Sequence, residues 1–187
     1  MSTETINKKL FTVDEYHRMA EVGILSEVGR FELIRGEIVE MTNPGSPHSS
    51  RVNRLNRLFT SRLGEFVIVS VQDPVRLDVQ SEPMPDLALL KPRDDFYAEA
   101  HPSPEDVLLV VEISDTTVKY DSSVKATLYA KAGIPEYWLL DVTKDVLVVR
   151  TDPAAGAYRN VHILHRGEAI SPQKLPSTSF SIDEILG

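Results

Sequence analysis

Cysteine is absent from the 187 residues, so no disulfide framework holds the chain and no thiolate binds a metal. A cytoplasmic protein is the default expectation. Long apolar runs are missing too: no stretch approaches the roughly 20 residues a membrane helix needs. The opening MSTETINKKL has two lysines but no apolar segment of signal-peptide length, so an unexported protein without a membrane span is expected. Positive charge is scarce, with 20 Lys and Arg against 28 Asp and Glu for a net charge of -8. That argues against a passive nucleic-acid coat, since phosphate binding runs on Lys and Arg. An enzyme that meets phosphate through a metal and a local basic edge tolerates it. With 42% apolar residues, a single domain over 1–187 with a real core is expected, and no internal repeat is visible.

What is present concentrates between Pro85 and Tyr137. In DVLLVVEIS, Leu108, Val110, Glu112 and Ser114 share one strand face, and Leu109, Val111 and Ile113 the other. Both faces are apolar up to Glu112, which places the strand inside a layered sheet. A carboxylate there is costly to bury without a partner or a metal. In PDLALLK, Asp86 opens a second apolar run, on one face with Ala88 and Leu90. If the two strands are antiparallel neighbours, Asp86 meets Glu112, and two such carboxylates make a site for a hard divalent cation.

Around this stretch, Thr12 and Glu15 form a capping-box pattern ahead of a short helix that ends near Gly23. RFELIRGEIVEM reads as a hairpin about Arg35 and Gly36, with Glu32 on the face opposite Phe31 and Leu33. The stripe Val52, Leu55, Leu58, Phe59, Leu63 predicts a helix from about His48 to Leu63. FVIVSV and PVRLDV predict a strand or bent pair leading to Asp86, and 92–105 a long connection. Asp121 is expected to cap a helix whose Val124, Leu128, Tyr129 and Ala132 face inward, ending at Gly133. EYWLLDV and VLVVRTD follow as strands, AYRNVHILHR as a peripheral hairpin, and SIDEIL as a final turn.

PD followed at a distance by a Glu closing an apolar strand resembles the PD-(D/E)xK nuclease superfamily, the restriction-endonuclease-like fold. The usual Lys two residues after the Glu is replaced here by Ser114. The stretches FTVDEYHRM, RFELIRGEIVEM, PGSPHSSRVNRL, PMPDLALL, VVEIS, YDSSVKATLYAKAGIPEYWLLD and FSIDEIL are similar in order to the Uma2 family, also called DUF820, in which the Lys has moved to the following helix. The resemblance implies an α/β fold with a mixed central sheet flanked by helices, and a DNA endonuclease dependent on Mg²⁺ or Mn²⁺. It implies Asp86 and Glu112 as metal ligands with the Ile113 carbonyl, Lys125 of D-x-x-x-K-x-x-x-Y (Asp121, Lys125, Tyr129) as the catalytic cation, and Glu32 of RFEL as an extra acidic residue. Lys119 is the rival cation. His48, in the family's Pro-x-His element, is a candidate phosphate contact at a helix start. Arg51, Arg54 and Arg62 lie along one edge of that helix and are candidates to track a nucleic-acid backbone, although Arg flanking an apolar stripe is commonly snorkelling. Gln72 lies within reach of the same site, but a strand-end Gln is usually structural.

Two readings compete with the nuclease: a nucleic-acid-binding module of the same fold without turnover, and a hydrolase of another kind using paired carboxylates, such as a glycosidase. The position of Lys125 discriminates the second, since a glycosidase has no need of a Lys beside the pair. Cutting both strands of a duplex is simplest with two sites, which suggests a homodimer.

Overall fold

Local chemistry sets the first elements. Thr12 accepts from the backbone of Glu15 while the Glu15 carboxylate reaches back to Thr12, a complete capping box, and helix α1 runs Val13–Glu21. Strands β1 (Arg30–Ile34) and β2 (Glu37–Met41) form the expected hairpin. Arg35 and Gly36 make the turn, both with positive φ, as a two-residue hairpin loop requires. The computed structural model describes residues 8–25, 29–115 and 117–187. They fall into two compact units, 1–43 with 76–83 and 44–75 with 84–187.

In the first unit PVRLDV departs from the expected strand. Its residues from Arg76 join the hairpin unit, where Leu33 bridges Glu82 and Asp78 bridges Ser81. Pro74, Pro83 and Pro85 lack the amide donors that a continuous ladder needs.

The second unit is built on a six-stranded mixed sheet, ordered β3-β4-β5-β6-β7-β8. Its strands are β3 (Ile68–Val71), β4 (Leu87–Leu90), β5 (Val107–Ser114), β6 (Glu136–Asp141), β7 (Val146–Ala154) and β8 (Ala157–Leu164). Only β5 and β6 pair in parallel; the other neighbours are antiparallel. Helix α2 (Ser46–Leu63) begins two residues before the expected start, with a Pro in its first turn. Its Val52, Leu55, Phe59 and Leu63 pack with Leu87, Leu109, Val111, Ile113 and Trp138 in the main core. The terminal helix α5 (Ile182–Leu186), which follows the short β9 (Ala169–Ile170) and β10 (Phe180–Ser181), closes the same core. Phe59 meets Phe180 edge to face at 5.3 Å between centroids, a favoured aromatic arrangement.

Two expectations fail here. AYRNVHILHR is not a hairpin in itself: Ala157–Leu164 form a single edge strand, β8, that pairs with β7 from Leu147↔Leu164 to Ala154↔Ala157. The left-handed Ala155 and Gly156 make the tight turn that joins the two long strands. Nor does Asp121 cap its helix. The helix starts at Val118 and runs through α3 (Val118–Tyr120), a π turn (Asp121–Lys125) and α4 (Ala126–Lys131). The Asp121 carboxylate accepts from the Thr117 hydroxyl at 2.6 Å, which satisfies it from the preceding turn rather than from free N–H groups ahead. Among the described residues no helix is long and apolar enough to cross a membrane.

Candidate active site

The antiparallel register pairs Leu87 with Val111, which sets Asp86 opposite Glu112 at the end of two buried strands. Both carboxylates are nearly enclosed, at 8% and 4% exposure, and backbone donors hold them. The Ile113 N–H donates to Asp86 Oδ2 at 2.9 Å, and the Asp86 N–H lies 3.4 Å from Glu112 Oε2. Each strand therefore orients the acid of the other.

Lys125 reaches this pair from the helix. Its side chain is 2% exposed, and Nζ donates to Glu112 Oε1 at 3.0 Å. The Tyr129 hydroxyl, one turn further on, donates to the same oxygen at 2.8 Å. Two donors on Oε1 fix the carboxylate rotamer and leave Oε2 toward Asp86. Asp121, Lys125 and Tyr129 are all buried at a spacing of four, and a π turn is an insertion that re-aims such a face and recurs at functional sites. Ser114, where the usual motif has its Lys, is buried and hydrogen-bonds Thr117 at 3.1 Å. Tyr137 donates to the Asp121 carbonyl at 3.1 Å, and burial followed by the charges of Glu112 and Asp121 pushes its phenol well up. It stays a neutral donor.

His48 stands elsewhere than on a bare helix start awaiting phosphate. Its Nε2 lies 3.1 Å from Asp86 Oδ2 and 3.1 Å from the Ile113 carbonyl. Both are acceptors, so Nε2 carries a hydrogen. Gln72 donates to Asp86 Oδ1 at 3.1 Å. The hydrogen bond to Asp86 raises the His48 pKa against the cost of burial. Burial raises the Asp86 carboxyl, but the bonds and charge of His48, with Ile113 and Gln72, outweigh it and hold the value low. The His48 contribution to stability is complete below the ordinary imidazole value of 6.5 and is lost as pH rises through the raised one. The Asp86 contribution is present above 3.8 and is lost as pH falls through the lowered one. In metal-free buffer, urea unfolding should give His48→Ala its largest deficit between those two values, roughly 1.5–3 kcal/mol for a charged hydrogen bond, shrinking toward alkaline pH. A deficit that is flat with pH would show that the pair does not titrate as a unit.

Among the described residues no group of three or more His, Asp or Glu side chains is arranged to hold an ion. The oxygen set still suits one cation type. Asp86 Oδ2 and the Ile113 carbonyl already converge on a single positive hydrogen of His48, and Glu112 adjoins them. Two carboxylates, with water in the remaining positions, are what Mg²⁺ commonly takes from a protein.

The other candidates lie apart from this cluster or in the first unit. Lys119 is exposed, and its carbonyl accepts from Ser123 at 2.6 Å. Arg51 donates to the Pro47 carbonyl at 3.1 Å, Arg54 is exposed, and Arg62 is engaged with Glu184 and the Ser179 carbonyl. Glu32 belongs to the first unit, where it is 1% exposed on β1 rather than turned to solvent. Sequence reasoning placed Tyr129 in a motif and missed its bond to Glu112, although the i, i+4 spacing from Lys125 carried the signal.

No curated protein matches the chain. Among solved structures, one from Anabaena variabilis, titled as "a putative nuclease belonging to DUF820", superposes with a TM-score of 0.71 at 16% identity, covering 94% of this chain and 97% of the other. At that identity the likeness is one of fold. A family profile matches residues 13–183, and by that match the chain belongs to the Uma2 family, described as "Putative restriction endonuclease".

Proposed function

We propose that the protein is a Mg²⁺- or Mn²⁺-dependent nuclease that hydrolyses DNA phosphodiester bonds at Asp86, Glu112 and Lys125. The observation that carries this reading is the Lys125 ammonium, buried and held 3.0 Å from Glu112 in a chain whose motif lysine is replaced by Ser114. Asp86 and Glu112 would hold the cation with the Ile113 carbonyl. When bound, it supplies a polarised phosphoryl oxygen and an activated water. Lys125 provides positive charge beside the reacting phosphate, where charge accumulates in the transition state. Tyr129 keeps Glu112 aimed, and Gln72 and His48 do the same for Asp86. A glycosidase-like carboxylate pair has no use for this lysine, so its placement favours phosphoryl chemistry. DNA as substrate is the reading the family description favours.

The test is purified protein with supercoiled plasmid and with single-stranded DNA, in Mg²⁺, Mn²⁺ or chelator. Nicked or linear product that requires metal is the expected result. Retention of DNA without product on both substrates and with both metals would instead support a binding module that has the fold without turnover.

A further inference from the structure

We propose that β8 is a self-association edge, pairing antiparallel with β8 of a second copy of this chain. The inference is independent of the nuclease reading. β8 ends the six-stranded sheet, so among the described residues one side of its backbone has no strand neighbour. Long exposed edges are association templates, and proteins usually blunt them with Pro, Lys, inward charge or shortness. The opposite edge, β3, is short, four residues followed closely by Asp73 and Pro74. β8 has eight residues with no Pro and no Lys, and its pairing with β7 reaches both of its ends in one register, interrupted at Arg159 opposite the left-handed Asp152. Val161 and Ile163, two apart and therefore on one face, are 48% and 56% exposed.

Charge identifies the occupant. Among the described strands of five or more residues, β8 alone carries no Asp or Glu, in a chain whose net charge is -8. It is the long strand along which two copies of an acidic protein approach without carboxylates in opposition. A symmetric antiparallel pair is isologous, so each residue meets a fixed counterpart. Centred on Val161, the pairing sets Val161 against Val161 of the second copy, Asn160 against His162, Arg159 against Ile163, and Tyr158 against Leu164. No like charges face one another, an amide meets an imidazole, and the Arg159 stem covers Ile163. Centring one residue later, on His162, opposes the two imidazoles to one another and sets Arg159 against His165 in place of an apolar side chain that its stem can cover.

The absence of cysteine makes the register directly testable. In an antiparallel pair, directly opposed Cα atoms lie roughly 4.5–5.5 Å apart, within disulfide reach. Val161→Cys should therefore convert to a covalent dimer of twice 20.9 kDa under mild oxidation. Arg159→Cys and Ile163→Cys stand four positions from their own copies, roughly 13 Å, and each should stay monomeric on a non-reducing gel. Mixed together, those two should cross-link. Light scattering on the unmodified chain across a concentration series should show the same dimer, and Val161→Lys should abolish it with an unchanged circular dichroism spectrum. A monomer at every concentration, a dimer that survives Val161→Lys, or equal cross-linking of all three single variants would overturn the proposal.

Discussion

Asp86→Asn should leave a folded protein with almost no metal-dependent cleavage, a loss on the order of 10³-fold, matching the several kcal/mol a metal contributes to phosphoryl chemistry. The amide fits the existing bonds. Its oxygen takes the place of Oδ2, accepting from the Ile113 N–H and His48, and its NH₂ takes the place of Oδ1, where Gln72 turns its own amide to accept. Shape is kept and the charge is lost. Stability should fall only by the charged share of the His48 bond, about 1–2 kcal/mol, while Mn²⁺ affinity measured by calorimetry collapses. Cleavage within tenfold of the parent would remove Asp86 from the site.

Lys125→Met should lower cleavage by about 10²–10³-fold and also destabilise the fold, which an exposed catalytic lysine would not do. The ammonium and Glu112 are both enclosed, and taking one partner from a buried pair costs roughly 3–5 kcal/mol because the other charge is left uncompensated. Tyr129 still donates to Glu112, which places the loss toward the low end. Mg²⁺ should raise the melting temperature of the variant more than that of the parent, since a cation near Glu112 restores the missing charge. Lys119→Met, at an exposed position, is the control and should change neither quantity. Unchanged melting and cleavage in Lys125→Met, or a collapse in Lys119→Met, would assign the cation to the wrong lysine.

Much of this site is legible in the sequence because its signals are local. Strand alternation and antiparallel apposition bring Asp86 to Glu112, and the i, i+4 pattern aligns Lys125 with Tyr129. The capping box at Thr12 is equally local, and the same pattern at Ser181 opens helix α5 where SIDEIL reads only as a turn. What resists reading depends on distant partners. Nothing near His48 announces that it faces Asp86 and Ile113, 38 and 65 residues away. Glu32 alternates like a solvent residue, yet it is buried. The π turn leaves no mark in a stretch that reads as ordinary helix from Asp121 onward. β8 does not read as part of the main sheet because an edge strand exposed along most of its length lacks the apolar signature of its neighbours.

The parallel pairing of β5 with β6 also bears on how the protein folds. Its two strands cannot meet through a tight turn. They must wait for the whole helical crossover to close, and His48, Asp86, Glu112 and Lys125 come from four separate stretches of chain. Contacts of that separation carry loop-closure entropy before they return any stabilisation. The cluster is therefore a late product of folding, absent from any partial structure that forms first. Until the sheet closes, its acidic groups and its lysine remain in water, where their charges cost nothing.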